Sequence, residues 1–127
     1  MPARIVLQGV PRIGYDIHLC PFPGTLYAYL RYVGDPRDYD YLMGITGAAF
    51  RRLWNDRDGG NIGILHYENE PFRLAFASLG YGWYTVPAHA PRETMIAAIV
   101  ESLARERPVI SFGIVGPPEP GLITGYD

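Results

Sequence analysis

The sequence predicts an α+β domain, and three observations point to it. Apolar residues recur at helical spacing in several segments of the first hundred positions. A β-branched and aromatic run, Val109-Ile110-Ser111-Phe112-Gly113-Ile114-Val115, stands near the end. The turn Gly116-Pro117-Pro118-Glu119-Pro120-Gly121 then leads into a second strand, Leu122 to Tyr126. Helices first and a hairpin afterwards suit α+β, in contrast to strands and helices that alternate.

In chain order, Arg4 to Leu7 is a short strand, and a Gly-Val-Pro-Arg-Ile-Gly loop carries the chain to Cys20. With Cys20 as N-cap, Pro21 and Pro23 take the first and third helical positions, whose N–H groups have no intrahelical partner. Leu26, Leu30 and Val33 repeat at helical spacing and Gly34 stops the helix. After the Gly34-Asp35-Pro36 turn, Asp38 caps a second helical segment through Tyr39, Tyr41, Leu42 and Met43, which Gly44 and Gly47 interrupt. Ala48 to Trp54 reads as another helical turn or two, Asn55 to Asn61 as a loop and Ile62 to Tyr67 as a short strand. Asn69-Glu70-Pro71 opens a helix with Phe72, Ala75, Phe76 and Leu79 as its buried stripe, and Gly80 ends it. Trp83-Tyr84-Thr85-Val86 reads as a strand. Pro91 begins a helix whose stripe is Met95, Ile96, Ile99, Val100 and Leu103, and Pro108 stops it.

A chain of 127 residues with 48% hydrophobic and 19% charged residues is the size and character of one globular domain, 1–127. A net charge of -2, with no concentrated basic face, argues against nucleic acid or an anionic membrane as partner. One cysteine excludes an internal disulfide. The N-terminus lacks the apolar core of a signal peptide and no run is long enough to span a bilayer, so a cytoplasmic location is expected. The chain ends at Gly125-Tyr126-Asp127, directly after strand-like residues, and is expected to be part of a longer protein.

Cys20 is the leading candidate for chemistry. A thiol at the positive end of a helix is favoured as thiolate, below its ordinary pKa of about 8.5; the competing reading is an inert, buried apolar side chain. His18, two residues away, is the nearest candidate base. His66 and His89 stand in unrelated segments and fit structural hydrogen bonding. Asp38/Asp40, Asp56/Asp58 and Glu68/Glu70 fit solvated caps. No ligand spacing marks a metal site, and the Gly59-Gly60-Asn61-Ile62-Gly63 stretch lacks the lysine and setting of a phosphate loop, so neither metal nor cofactor is expected. Tyr27, Tyr29, Tyr32, Tyr39 and Tyr41 cluster in sequence near Cys20. Tyr27, Trp83 and Tyr126 are the candidate substrate contacts, against a reading of such aromatics as half-buried packing.

A cysteine at the head of a helix, further helices, an Arg-Pro-Val-Ile strand, a loop and a strand ending in Gly-Tyr-Asp: this order of parts resembles the papain-like cysteine peptidases. Within them it is most similar to the bacterial branch of bacteriocin-leader peptidase domains and the amino-terminal half of the butirosin acyltransferase type, which the Gly-containing stretch Leu42 to Phe50 also resembles. The resemblance runs from about Cys20 to Asp127. It implies a helical half packed on an antiparallel sheet, Cys20 as nucleophile, and a peptide or small acyl substrate. It also implies a histidine base at the start of the Gly-Tyr-Asp strand, where this chain carries Glu119. The oxyanion-hole glutamine expected shortly before the cysteine has no clear counterpart, with Gly14, Tyr15 and Asp16 in the nearer places. Two readings follow: a cysteine hydrolase or acyltransferase, or a catalytically degenerate domain used for binding.

Overall fold

The computed structural model describes residues 4–50, 70–114 and 119–127. Among the described residues the fold is α+β, with four helices and two small antiparallel sheets. Two compact units are present, one of Met1–Arg37 with Tyr84–Asp127 and one of Asp38–Trp83.

The first unit is built on helix α1 (Pro21–Tyr32). Cys20 is its N-cap residue, in extended conformation, and the first intrahelical bond runs from Gly24 N–H to Cys20 C=O at 3.1 Å. Pro21 and Pro23 therefore replace only donors that a helix start leaves unpaired. Phe22, Pro23, Gly24, Thr25 and Leu26 are all buried, as are Ala28 and Leu30, so the first half of the helix is enclosed all round. Full burial of a side chain such as Leu26 contributes about 2 kcal/mol. The helix closes in a Schellman motif: Asp35 N–H reaches Leu30 C=O (2.9 Å), Gly34 N–H reaches Arg31 C=O (3.4 Å), and Gly34 has φ +84°.

The hairpin strands β2 (Val109–Phe112) and β3 (Pro120–Ile123) pair antiparallel, with Val109 opposite Ile123 and Phe112 opposite Pro120. Strand β3 contacts α1. The expected second strand, Leu122 to Tyr126, is in fact divided. Its first part belongs to β3, and after Thr124 the chain changes partner: β4 (Gly125–Tyr126) pairs with β1 (Ile5–Val6). Leu7 N–H to Thr124 C=O, at 2.7 Å, continues that contact. A Cβ on Gly125 would lie 2.7 Å from the Ile5 carbonyl oxygen and 3.0 Å from the Val6 Cα, so only glycine lets β1 approach.

Helix α4 (Arg92–Ala104) contacts β1 and β2. Of its expected stripe only Leu103 is buried; Met95, Ile99 and Val100 are half-buried and Ile96 is exposed. The two-residue β1 and four-residue β2 are too short to cover three helical turns. The helix ends before Pro108, in a second Schellman motif whose left-handed position is Glu106 (φ 57°), with Arg107 N–H on Ser102 C=O at 3.0 Å.

The second unit holds α2 (Tyr39–Ile45), with Asp38 as N-cap, and α3 (Glu70–Leu79), which contact each other. Leu42, Thr46, Pro71 and Ala75 are buried there. Asp38 holds the cap position without a side-chain capping bond. Gly80, at φ +79°, ends α3 as expected. Residues 83–86 form no strand, contrary to expectation. Trp83 is instead drawn onto α3, its ring centroids 6.1 Å from Phe72 and 5.5 Å from Phe76. Residues 48–50 form a turn, and the rest of the expected helical run to Trp54 and the strand Ile62 to Tyr67 lie outside the described residues. Among the described residues, no helix is long and apolar enough to cross a membrane.

Two substitutions test this packing. Gly125→Ala should destabilise the protein by about 1–3 kcal/mol, as overpacking does, read as a lower urea midpoint; an unchanged midpoint would refute the close β1–β4 approach. Thr25 is buried and its Oγ1 has no hydrogen-bond partner. Thr25→Val, which keeps the shape and removes the stranded hydroxyl, should raise stability by about 1 kcal/mol; a loss of stability would mean that the hydroxyl is satisfied.

Candidate functional site

The head of α1 and the start of β3 bring together residues from three parts of the sequence. The loop before Cys20 folds back on itself, with Ile17 N–H and His18 N–H both donating to Gly14 C=O at 2.9 and 3.0 Å. Arg12 and Asp16 form an ion pair across the turn at 2.5 Å, which holds the Asp16 carboxyl below its ordinary pKa. Tyr15 leaves this turn and its hydroxyl donates to Glu119 Oε1. Glu119 directly precedes β3, and its own carbonyl accepts Gly113 N–H at 3.1 Å across the hairpin.

Tyr15 ties the cluster together electrostatically. Its phenol pKa is raised, first by the hydrogen bond to Glu119, then by partial desolvation, and further by the negative charge that Glu119 carries and that Cys20 would carry when ionised. Tyr15 thus bonds Glu119 and lies within electrostatic reach of Cys20, and sequence reasoning selected the latter two. Tyr15 had no signal of its own: it is one of ten tyrosines, and its role comes from a contact 104 positions away.

The thiol does not match the thiolate expected of a helix N-terminus. Burial pushes the Cys20 pKa up, and the Phe22 N–H offsets this only in part. Removal from water disfavours the charged form, and here that outweighs the amide.

The His18 imidazole is directed onto the flank of α1. Its Cβ lies 3.2 Å from where a Cβ on Gly24 would stand, and its ring centroid is 4.5 Å from that of Tyr27. Tyr27 is occupied on another side as well, since Arg31 Nη1 donates to its hydroxyl at 3.2 Å and the guanidinium sits 5.3 Å from the ring centroid. Tyr27 and His18 are therefore a packed pair on the helix. Trp83 lies in the Asp38–Trp83 unit against α3, and Tyr126 is half-buried in β4 opposite Ile5. His89 is exposed in the turn before α4, and His66 lies outside the described residues.

Beside Glu119 the hairpin forms an open pocket of about 260 Å³, lined by Ser111, Ile114, Glu119, Pro120, Gly121 and Leu122. Leu19 and Ile114 stand exposed at 81% and 60%, so apolar surface faces solvent next to Cys20 and at the pocket wall. Among the described residues, no group of three His, Cys, Asp or Glu side chains comes together to hold a metal ion.

The raised thiol pKa has a pH signature. Between the unfolded and folded values the unfolded chain is the more ionised, so this contribution to stability is fully present below the unfolded thiol pKa and is lost as pH rises through the folded one. The stability advantage of the wild type over Cys20→Ala should therefore shrink between pH 7 and pH 10, measured by urea unfolding at each pH; an advantage that grows would reverse the assigned direction.

No family model, curated protein or solved structure matches this chain, so the chemistry of the site rests on its own residues.

Proposed function

We propose that the chain is a catalytically degenerate domain of papain-like type, in which the Cys20–Tyr15–Glu119 site binds a ligand without turning it over. The single observation that carries this reading is the Tyr15–Glu119 hydrogen bond beside Cys20. In the family that the sequence resembles, the residue at the start of this strand is the base that pairs with the thiolate. A carboxylate there opposes thiolate formation by like charge and supplies no imidazolium. Burial separately raises the thiol pKa, and the His18 ring is engaged with Gly24 and Tyr27. Contact between α1 and a strand of an antiparallel hairpin supports the papain-like frame.

The second reading, a cysteine hydrolase or acyltransferase acting on peptide or acyl substrates, is favoured by one feature. Cys20 stands at the N-cap of a buried helix, where the Phe22 N–H acts to lower the thiol pKa. As nucleophile it would be acylated by the substrate carbonyl, with release of the leaving group, and then transfer the acyl group to water or an amine.

The rate of Cys20 alkylation by iodoacetamide across pH separates the two. We expect the native thiol to titrate above the unfolded chain and to react more slowly at pH 7. A native midpoint well below the ordinary thiol value of about 8.5 would overturn the binding reading in favour of the enzyme.

A further inference from the structure

We propose that the pocket beside Glu119 takes a cationic nitrogen, an alkylammonium or guanidinium group, carried on an apolar body. This names the ligand class of the site and rests on the binding reading above.

Charge is the first argument. Among the described residues that line the pocket, Glu119 is the only ionisable one. The half-buried Glu119 has the Tyr15 phenol hydroxyl as a partner. A neutral donor satisfies one lone pair and supplies no counter-charge. A cationic nitrogen supplies both the missing charge and a charge-assisted hydrogen bond.

Shape and polarity give the second argument. Ser111 on β2 stands opposite Gly121 on β3. A Cβ added to Gly121 would meet nothing within 4 Å, so the missing side chain leaves room on the pocket wall. The Ser111 hydroxyl, also in the pocket lining, is a further acceptor for a nitrogen donor. Ile114, Pro120 and Leu122 supply the rest of the lining, and they select a hydrocarbon body. One carboxylate with one hydroxyl, set in an apolar wall, is the complement of an amine or a basic side chain with apolar neighbours.

The test is calorimetric titration of the folded chain with acetyl-Leu-Arg-amide, its neutral citrulline counterpart and n-hexylammonium. We expect saturable binding of the cationic probes, weakened by added salt, and little or none of the citrulline peptide. Binding of hexylammonium alone assigns the site to small amines, and binding of the arginine peptide assigns it to basic peptides. Glu119→Gln should weaken the cationic probe by roughly tenfold, the scale of one charge-assisted hydrogen bond. Gly121→Val, which fills the pocket from a position with free space, should do the same while keeping the charge. Equal affinity for arginine and citrulline, full affinity in Glu119→Gln, or no binding of either cationic probe at millimolar concentration would each overturn the proposal. Equal affinities that are both lost in Gly121→Val would do so while leaving the binding reading intact, whereas a low-pKa, fast-reacting Cys20 would remove that reading itself.

Discussion

The enclosure of the first half of α1 is the constraint on which the first unit depends. Five consecutive residues, Phe22 to Leu26, are buried, and five in a row cover every direction around a helix of 3.6 residues per turn. Such a helix must be surrounded, and β3 is one of the elements in contact with it. The residues before α1 and before β3 are Cys20 and Glu119. Burial of the helix therefore accounts both for where these two side chains stand and for why the thiol loses solvent.

That burial also decides the chemistry. An N-terminal helix position and desolvation act on a thiol in opposite directions, and which prevails depends on how much water remains. At Cys20 desolvation prevails. The thiol is thereby held toward its protonated form. The carboxylate that precedes β3 accepts a hydrogen bond from the Tyr15 hydroxyl.

The strand exchange at Thr124 has a different physical origin. A hairpin extended to Tyr126 would have satisfied the local pattern, because Leu122-Ile123-Thr124-Gly125-Tyr126 is uniformly strand-like. The register with β2 ends at Ile123 opposite Val109, and β1 takes the backbone groups that follow. Gly125 permits the change of partner because a side chain there would strike the β1 backbone. Its place in the Gly-Tyr-Asp sequence has a packing reason independent of catalysis.

Local chemistry in the sequence by itself determined the helix ends and the fold class. Pro21 and Pro23 can open a helix but not continue one, Gly34 and Gly80 supply left-handed closures, and the Val109 run has no helical period. These signals act over a few residues and survived folding. Glu119 was legible too, as the residue standing where a histidine is implied. The tertiary structure decided what depends on contacts between distant residues: the Tyr15–Glu119 bond, the placement of His18 on Gly24 and Tyr27, the pairing of β4 with β1, and the incomplete burial of the α4 stripe. It also set the direction of the thiol pKa. Helix position is written in the order of residues, whereas desolvation is a property of everything that closes around the sulfur.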